Sequence, residues 1–467
     1  MKNDPRKRRQ FIKKTSVIAS GLAFTPEMFN AVPLKYKTGT RQDKIKVGFI
    51  GIGNRGSQLL HSFMGNPDVM VTALSDVYEP YLTRDFSKVH EKYKAMGRVP
   101  SMGENFGKNV KTYPDYRNLL EDKQVDAVCI ATPDHWHAIQ AIQAIQAGKD
   151  VYVEKPLSIT LKEGREMVNA QKGSGKVVTV GLNRRGSPVY RKMAEAVRAG
   201  KLGKITIARA LRISNMTPDG IGSYPDEAPP ADFNWDMWLG PRAFRPYRYN
   251  IAPYKFRWWS DYSSQMGNWG VHYMDAIRWM MGETAPASVS AHGGKYVLKH
   301  DGDIPDTMEV LFEFSSGAIV KFSIHEACGG GDIPFGEIEL KGTKGNLGIS
   351  ERGYTVLPSE AGQFQDWEER IEEESYDIRS DSQASAILSE DPAARLIRNF
   401  LDCVKSRHET WCPLEEGHRS TSFAHLANIA LRVKKRLDWD PVNEKFTNEP
   451  KANEYLQYEY RDAWKAL

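Results

Sequence analysis

Cysteine is scarce. Four occur in 467 residues (Cys129, Cys328, Cys403 and Cys412), and no two form a CxxC pair. That spacing excludes a zinc ribbon, a thioredoxin-like redox motif and a disulfide-stapled scaffold. Cys129 lies in the apolar run VDAVCIA and reads as a small core residue. An oxidising compartment would allow Cys403 to pair with Cys412, but nothing in their spacing requires it. Net charge is also missing from most of the chain. Residues 1–30 hold seven Lys/Arg and two acids, which accounts for the whole formal net charge of +5. A neutral body offers no field to attract nucleic acid or an anionic membrane. No long hydrophobic run exists either. The apolar stretch Thr15–Phe24, TSVIASGLAF, is about half the length a membrane-spanning helix needs. Internal repeats and low-complexity segments are absent.

The N-terminus has the plan of an export signal. RKRRQFIK at 6–13 is basic, the apolar stretch follows, and small residues close it near Ala31. Arg8-Arg9, with Phe11 and Lys13, resembles a twin-arginine signal, although Lys7 stands where Ser or Thr is common. Periplasmic location by that route is therefore expected.

The body opens as a βαβ unit. KIKVGFI (44–50) is a β-rich run, GIGNRG (51–56) a glycine turn, Ser57–Phe63 a helix and Val69–Leu74 a strand that reaches Asp76. Gly51 permits the tight turn, Gly53 lets backbone approach a pyrophosphate, and Gly56 allows close helix–strand packing. The helix N-terminus offers free N–H groups to phosphate. Asp76, at the end of the second strand, would accept both ribose hydroxyls and repel a 2′-phosphate, which favours NAD over NADP. A polar insertion follows at about 85–110. Further strands are expected at 125–131, 150–153 and 177–180, with helices at 138–147 and 158–171. Beyond these, 191–198 reads as a helix, 204–213 as a strand, 214–260 as irregular and 271–281 as a helix. Residues 287–350 alternate as several strands of an antiparallel or mixed sheet, and 393–405 and 420–436 read as helices. The expected class is α/β, with a Rossmann domain followed by an α/β domain carrying a large open sheet. The expected division is 1–40 signal and linker, 41–165 Rossmann domain, 166–440 substrate and oligomerisation domain, and 441–467 C-terminal extension.

Lys155 sits at the carboxyl end of a strand, between Glu154 and Pro156, where ligands of open α/β sheets bind. An amine there can hold a substrate hydroxyl and stabilise charge on its oxygen. His135 and His137 flank Trp136 at a spacing of two, poor for a helical metal pair, and do not suggest a metal. Six of the eleven tryptophans fall between Trp235 and Trp279, among several tyrosines and arginines. Aromatic faces suit sugar C–H faces, and arginine suits hydroxyls or carboxylates.

GFIGIGNRG, ATPDHWH (131–137), VEKPLS (153–158) and MGNWGVHYMDAIRWMMG (266–282) together resemble the glucose–fructose oxidoreductase/inositol dehydrogenase (Gfo/Idh/MocA) family over about residues 44–436. The export signal places the resemblance in an exported subgroup. It implies a catalytic Lys155 and a proton-transferring His272, and it places His137 near the cofactor. Asn54, Arg55, Thr132, Pro133 and Glu154 join the glycines, Asp76 and Lys155 as expected NAD contacts. Asn268 stands where the family often has Asp, and Asn cannot act as a base. Either His272 works with Lys155 alone or the acid–base roles differ here. Asp275, three residues beyond His272, is expected to orient the imidazole. Arg185, Trp259, Asn268 and Asp275 are the expected substrate-side residues.

Location adds a redox argument. An exported enzyme has no supply of free NAD, so the cofactor is expected to stay bound and recycle, or an external acceptor must regenerate it. The expected activity is oxidation of a CH–OH group on a sugar or glycoside. The alternative is an NAD-dependent glycosidase, and a non-catalytic binding protein is disfavoured by Lys155 and His272. No nucleic acid, membrane span or metal is expected, and a homo-oligomer, dimer or tetramer, is.

Overall fold

Ile45–Ile50 (β1) is buried along almost its whole length, because both faces of the sheet it centres are covered. In the computed structural model the described residues are 44–83, 109–330, 333, 336–364, 371–380 and 391–464. The export-signal region and most of the polar insertion fall outside them. Around β1 assemble Val69–Ser75 (β2), Lys111–Tyr113 (β3), Ala127–Ile130 (β4), Asp150–Val153 (β5) and Val178–Val180 (β6). Their order is β3-β2-β1-β4-β5-β6, and every pairing is parallel. That is the Rossmann order, and the strand sequence reverses between β1 and β4, where a dinucleotide binds. Edge strand β3 and the helix Tyr116–Glu121 after it escaped the sequence reading. β3 has three residues, two of them exposed, so it carries no hydrophobic signal.

Two domain boundaries need correction. β6 hydrogen-bonds β5, so the first domain runs past Val180 rather than ending at 165. The helix Pro392–Ser406 also returns to this domain. Its Phe400 packs edge-on against Phe63 and Tyr152, with centroids 6.3 and 6.0 Å apart, inside the same core as β1. The tail is not a separate extension. Lys445–Phe446 pairs with Trp439–Asp440, and Trp464 packs on Trp136 at 4.8 Å.

The second sheet is mixed and has ten strands. They are Ile205–Ile213 (β7), Ser288–Gly294 (β8), Thr307–Glu313 (β9), Ile319–His325 (β10), Ile338–Gly342 (β11), Gly345–Ser350 (β12), Gly353–Pro358 (β13), Glu374–Asp377 (β14), Leu437–Asp440 (β15) and Lys445–Phe446 (β16). The order is β14-β13-β12-β11-β7-β10-β9-β8-β15-β16. Only β7 and β10 run parallel; the other pairs are antiparallel. β9 and β10 alternate buried and exposed residues, as a sheet covered on one side must. The covered face packs against the helices Pro188–Arg198, Val271–Met281 and Leu414–Val433. Ile207, Leu311 and Ile319 are exposed on the other. No helix among the described residues is long and apolar enough to cross a membrane. The four thiols are unpaired, and burial pushes Cys412 up to about 12.

Candidate active site

β1 ends at Ile50, and the chain turns on Gly51, whose φ is +81°. A Cβ on Gly51 would lie 2.7 Å from the Thr132 nitrogen, and one on Gly56 would lie 2.0 Å from the Gly51 carbonyl oxygen. Neither position tolerates a side chain, so the loop keeps bare backbone at the mouth of the helix Asn54–Met64. Asp76 closes the cradle. One carboxylate oxygen accepts from Ile52 N at 2.8 Å and the other from Tyr78 N at 3.0 Å. Gly51, Gly53, Asn54, Arg55, Asp76, Thr132 and Pro133 line one pocket, and Tyr78, Tyr81 and Trp136 complete its wall. The set fits a dinucleotide: a side-chain-free loop and helix N-terminus for the pyrophosphate, a carboxylate for the ribose. Asp76→Ala is expected to weaken NAD binding about ten- to hundredfold, since bonds to a charged acceptor are lost, and to narrow discrimination against NADP. Titration of both cofactors by calorimetry checks this.

A second cleft adjoins the first through Asn54, Arg55, Thr132, Tyr254 and Arg257, and it contains Lys155, Glu154 and Asn268. Lys155, just past β5, donates from Nζ to the Asn268 carbonyl at 3.0 Å. The amine does not pair with Glu154, whose carboxylate instead binds Arg55 at 2.8 Å and braces it at the junction of the two clefts. Burial, offset in part by the Glu154 and Asp134 carboxylates, lowers Lys155 to about 8. Asn268 lies in a π-helical turn, Met266–Gly270, that leads into the helix carrying His272. Such turns break the regular ladder and recur at functional sites. Asn268 Nδ2 donates to Gln265 at 3.2 Å. His272 Nδ1 is buried without a partner. Burial, then the positive charges of Lys155 and Arg184, hold its imidazole well below the usual histidine range, so it is neutral.

Four expectations are corrected. His137 does not reach the nucleotide pocket; it is buried, with Nδ1 2.7 Å from the Pro156 carbonyl and Nε2 2.9 Å from that of Thr132. It ties together the loops that carry Thr132 and Lys155. Arg185 and Asp275 are 4 % and 1 % exposed and form a buried ion pair at 2.8 Å, joined by Glu416 and Ser420. Neither lines the cleft. With its carboxylate so engaged, Asp275 does not orient His272. Trp259 is a core residue whose Nε1 donates to the Asn250 carbonyl at 2.7 Å. Its neighbour Trp258 lines the cleft instead, together with Trp269. The sequence reading also passed over Asp134, Arg212 and Glu326, all on the cleft wall. Asp134 lies inside the ATPDHWH segment and was overshadowed by its histidines. Arg212 comes from β7 and Glu326 from the residue just after β10, far apart in sequence, and they carry no local signal. Among the described residues no group of three His, Cys, Asp or Glu is placed to hold a metal.

Three family models match the chain in succession. The oxidoreductase family, NAD-binding Rossmann fold, covers residues 45–182. The GFO/IDH/MocA C-terminal domain covers 190–348, and the oxidoreductase family C-terminal alpha/beta domain 376–466. The chain belongs to the Gfo/Idh/MocA oxidoreductase family, and its first domain binds NAD. Myo-inositol 2-dehydrogenase of Thermotoga maritima is 28% identical over 311 residues, 65% of this chain and 74% of that protein. A glycosyl hydrolase family 109 protein of a Shewanella species is 28% identical over 181 residues. That match spans 36% of this chain and 38% of the relative. A levoglucosan dehydrogenase, solved with NADH and levoglucosan, superposes with a TM-score of 0.62 at 16% identity, covering 85% of this chain and 99% of that one.

Proposed function

We propose that this protein is an exported oxidoreductase that acts on a CH–OH group of a sugar or glycoside and keeps its NAD bound between turnovers. One observation carries the reading. The Lys155 amine is held against the Asn268 carbonyl, one helical turn before His272, in a cleft that opens onto the nucleotide pocket. Bound NAD supplies the hydride acceptor. The chain's own residues handle the proton. A substrate hydroxyl beside Lys155 hydrogen-bonds the amine, and the proton passes to it as the C–H bond breaks. A group near 8 matches that task better than the His272 imidazole, whose basicity burial has removed. His272, one turn beyond Asn268, is a neutral ring that does not compete for this proton. Asn268, unable to take a proton, leaves Lys155 as the principal acid–base group.

Export rests on Arg8-Arg9 and the apolar segment after them, and recycling follows from export. The uncovered apolar positions Ile207, Leu311 and Ile319 support assembly as a homo-oligomer through the second sheet. A second reading is redox-neutral cleavage of a glycoside: a hydroxyl is oxidised, the acidified neighbouring C–H allows elimination, water adds and the carbonyl is reduced. The glycosyl hydrolase family 109 relative, similar over 36% of this chain, favours it. Purified, folded protein is expected to carry NAD; with no cofactor added it should turn over repeatedly only when a second, carbonyl-bearing sugar or an external acceptor reoxidises the bound NADH, or when the cycle is redox-neutral. Product NMR separates a released free sugar from an oxidised one. Protein that is cofactor-free and consumes NAD in stoichiometric amounts would contradict retention.

A further inference from the structure

The lysine cleft continues beyond Lys155 to a wall made by β7 and β10. Arg212 stands near the end of β7, in register with Ile324 of its parallel neighbour β10, and Glu326 follows β10 directly. The Arg212 guanidinium lies over the Trp269 ring, 3.7 Å from its centroid. Trp269 follows Asn268, whose carbonyl holds Lys155, so this wall joins the reacting end through two consecutive residues. Trp258 closes the group by donating from Nε1 to one Glu326 oxygen at 2.9 Å.

Arg212 is unusual among the arginines of this region. Arg55, Arg184, Arg185 and Arg278 each have a carboxylate within 2.6–2.8 Å. Arg212 has neither a hydrogen bond nor an ion pair with any described residue, and its Nε is buried without a partner. An unpaired buried guanidinium donor is costly unless a ligand supplies the acceptor, and the planar fork suits two oxygens of one carboxylate. The other cations on the cleft do not need such a ligand. Arg55 is neutralised by Glu154, Lys155 serves the reacting hydroxyl, and Arg257 bonds the Tyr254 carbonyl at 2.8 Å and also faces the nucleotide pocket.

We propose that Arg212, Trp269, Trp258 and Glu326 form a subsite for a carboxylate borne by the substrate, which is therefore an acidic sugar or glycoside of the uronate class. This rests on the sugar-oxidoreductase reading above. Glu326 would repel such a group if it were ionised. Burial raises it to about 7, although the Trp258 hydrogen bond and the charge of Arg212 both lower it. Asp306 also faces Glu326; its backbone carbonyl accepts from Glu326 N, while its carboxylate is turned to the amides of residues 296–298. Glu326 can therefore take a proton as the ligand arrives and donate it to a carboxylate oxygen.

The test uses the full chain loaded with NAD and calorimetric titration with methyl glucuronide and methyl galacturonide, against methyl glucoside and methyl galactoside. The acidic ligands are expected to bind more tightly than their neutral counterparts. Arg212→Gln should remove that preference, about ten- to hundredfold, and affect the neutral ligands little. Arg212→Lys, which keeps the charge but not the fork, should restore part of it. Acid binding should weaken as pH rises through about 7, and Glu326→Gln should flatten that dependence. Neutral ligands binding as tightly as acidic ones, or Arg212→Gln weakening both classes equally or neither, overturns the subsite alone. Failure of every sugar to bind overturns both the subsite and the sugar reading.

Discussion

Lys155→Met is expected to lower kcat by about 10³- to 10⁴-fold, the combined scale for losing a proton-transfer group and a donor at the developing oxyanion. The bound NAD content of the purified protein should stay at the wild-type level, because the cradle is built from Gly51–Gly56 and Asp76 rather than from the lysine. The pH profile should change as well. Lys155 titrates near 8, so kcat/KM in the oxidative direction should rise with pH and level off above about 8; the reductive direction should show the opposite slope. Lys155→Arg, always charged, should be slow and flat across that range. Stability supplies an independent readout. The folded protein binds this proton less tightly than the unfolded chain, so Lys155 costs stability at neutral pH, and the cost fades as pH climbs from about 8 towards the ordinary lysine value. The methionine variant should therefore melt at a higher temperature at pH 7 than the parent. A variant that is inactive and also less stable would point to a structural role for the lysine.

The cofactor half of this site was legible because it is local. Strand, glycine turn, helix, strand and Asp76 fall within about thirty residues, and the backbone demands at Gly51 and Gly56 leave a mark in the sequence that no packing can replace. Lys155 was legible for the same reason, as a charged residue at the end of a fully buried strand. The substrate half was not. Residues 214–260 have little regular periodicity, so a dense aromatic segment showed where the wall is made but not which face of each residue meets the cleft. The result is a one-residue error between Trp259 and Trp258. Arg185 and Asp275 misled in another way. Polar residues beside functional motifs suggest ligand contact, and only the fold reveals that they satisfy each other. The strand at 177–180 was legible, but its pairing with β5 lies across an intervening helix and leaves no local mark, so the boundary was set too early.

Asp275→Ala should destabilise the protein by about 3–5 kcal/mol, the scale for removing one partner of a buried ion pair. Arg185 would be left in the interior with Glu416 as its remaining counter-charge, and the Ser420 hydroxyl would lose its acceptor at 2.7 Å. Denaturant unfolding monitored by tryptophan fluorescence checks the loss. The fraction that remains folded should keep its NAD affinity and a kcat near that of the parent, because the carboxylate touches neither Lys155 nor His272. A variant of normal stability with a collapsed kcat would restore Asp275 to the catalytic apparatus. Acid should expose the same network. Burial raises the Glu416 carboxyl, but Arg278 and Arg185 outweigh it and bring it down to about 2. Its stabilisation is complete above the ordinary glutamate range and disappears as pH falls from there towards about 2. With Asp275 gone, Glu416 alone faces two guanidinium groups, so the variant should lose stability more steeply across that window than the parent. The double replacement Arg185→Met with Asp275→Leu removes both charges together and should recover most of the lost stability, which separates a broken pair from a lost packing contact.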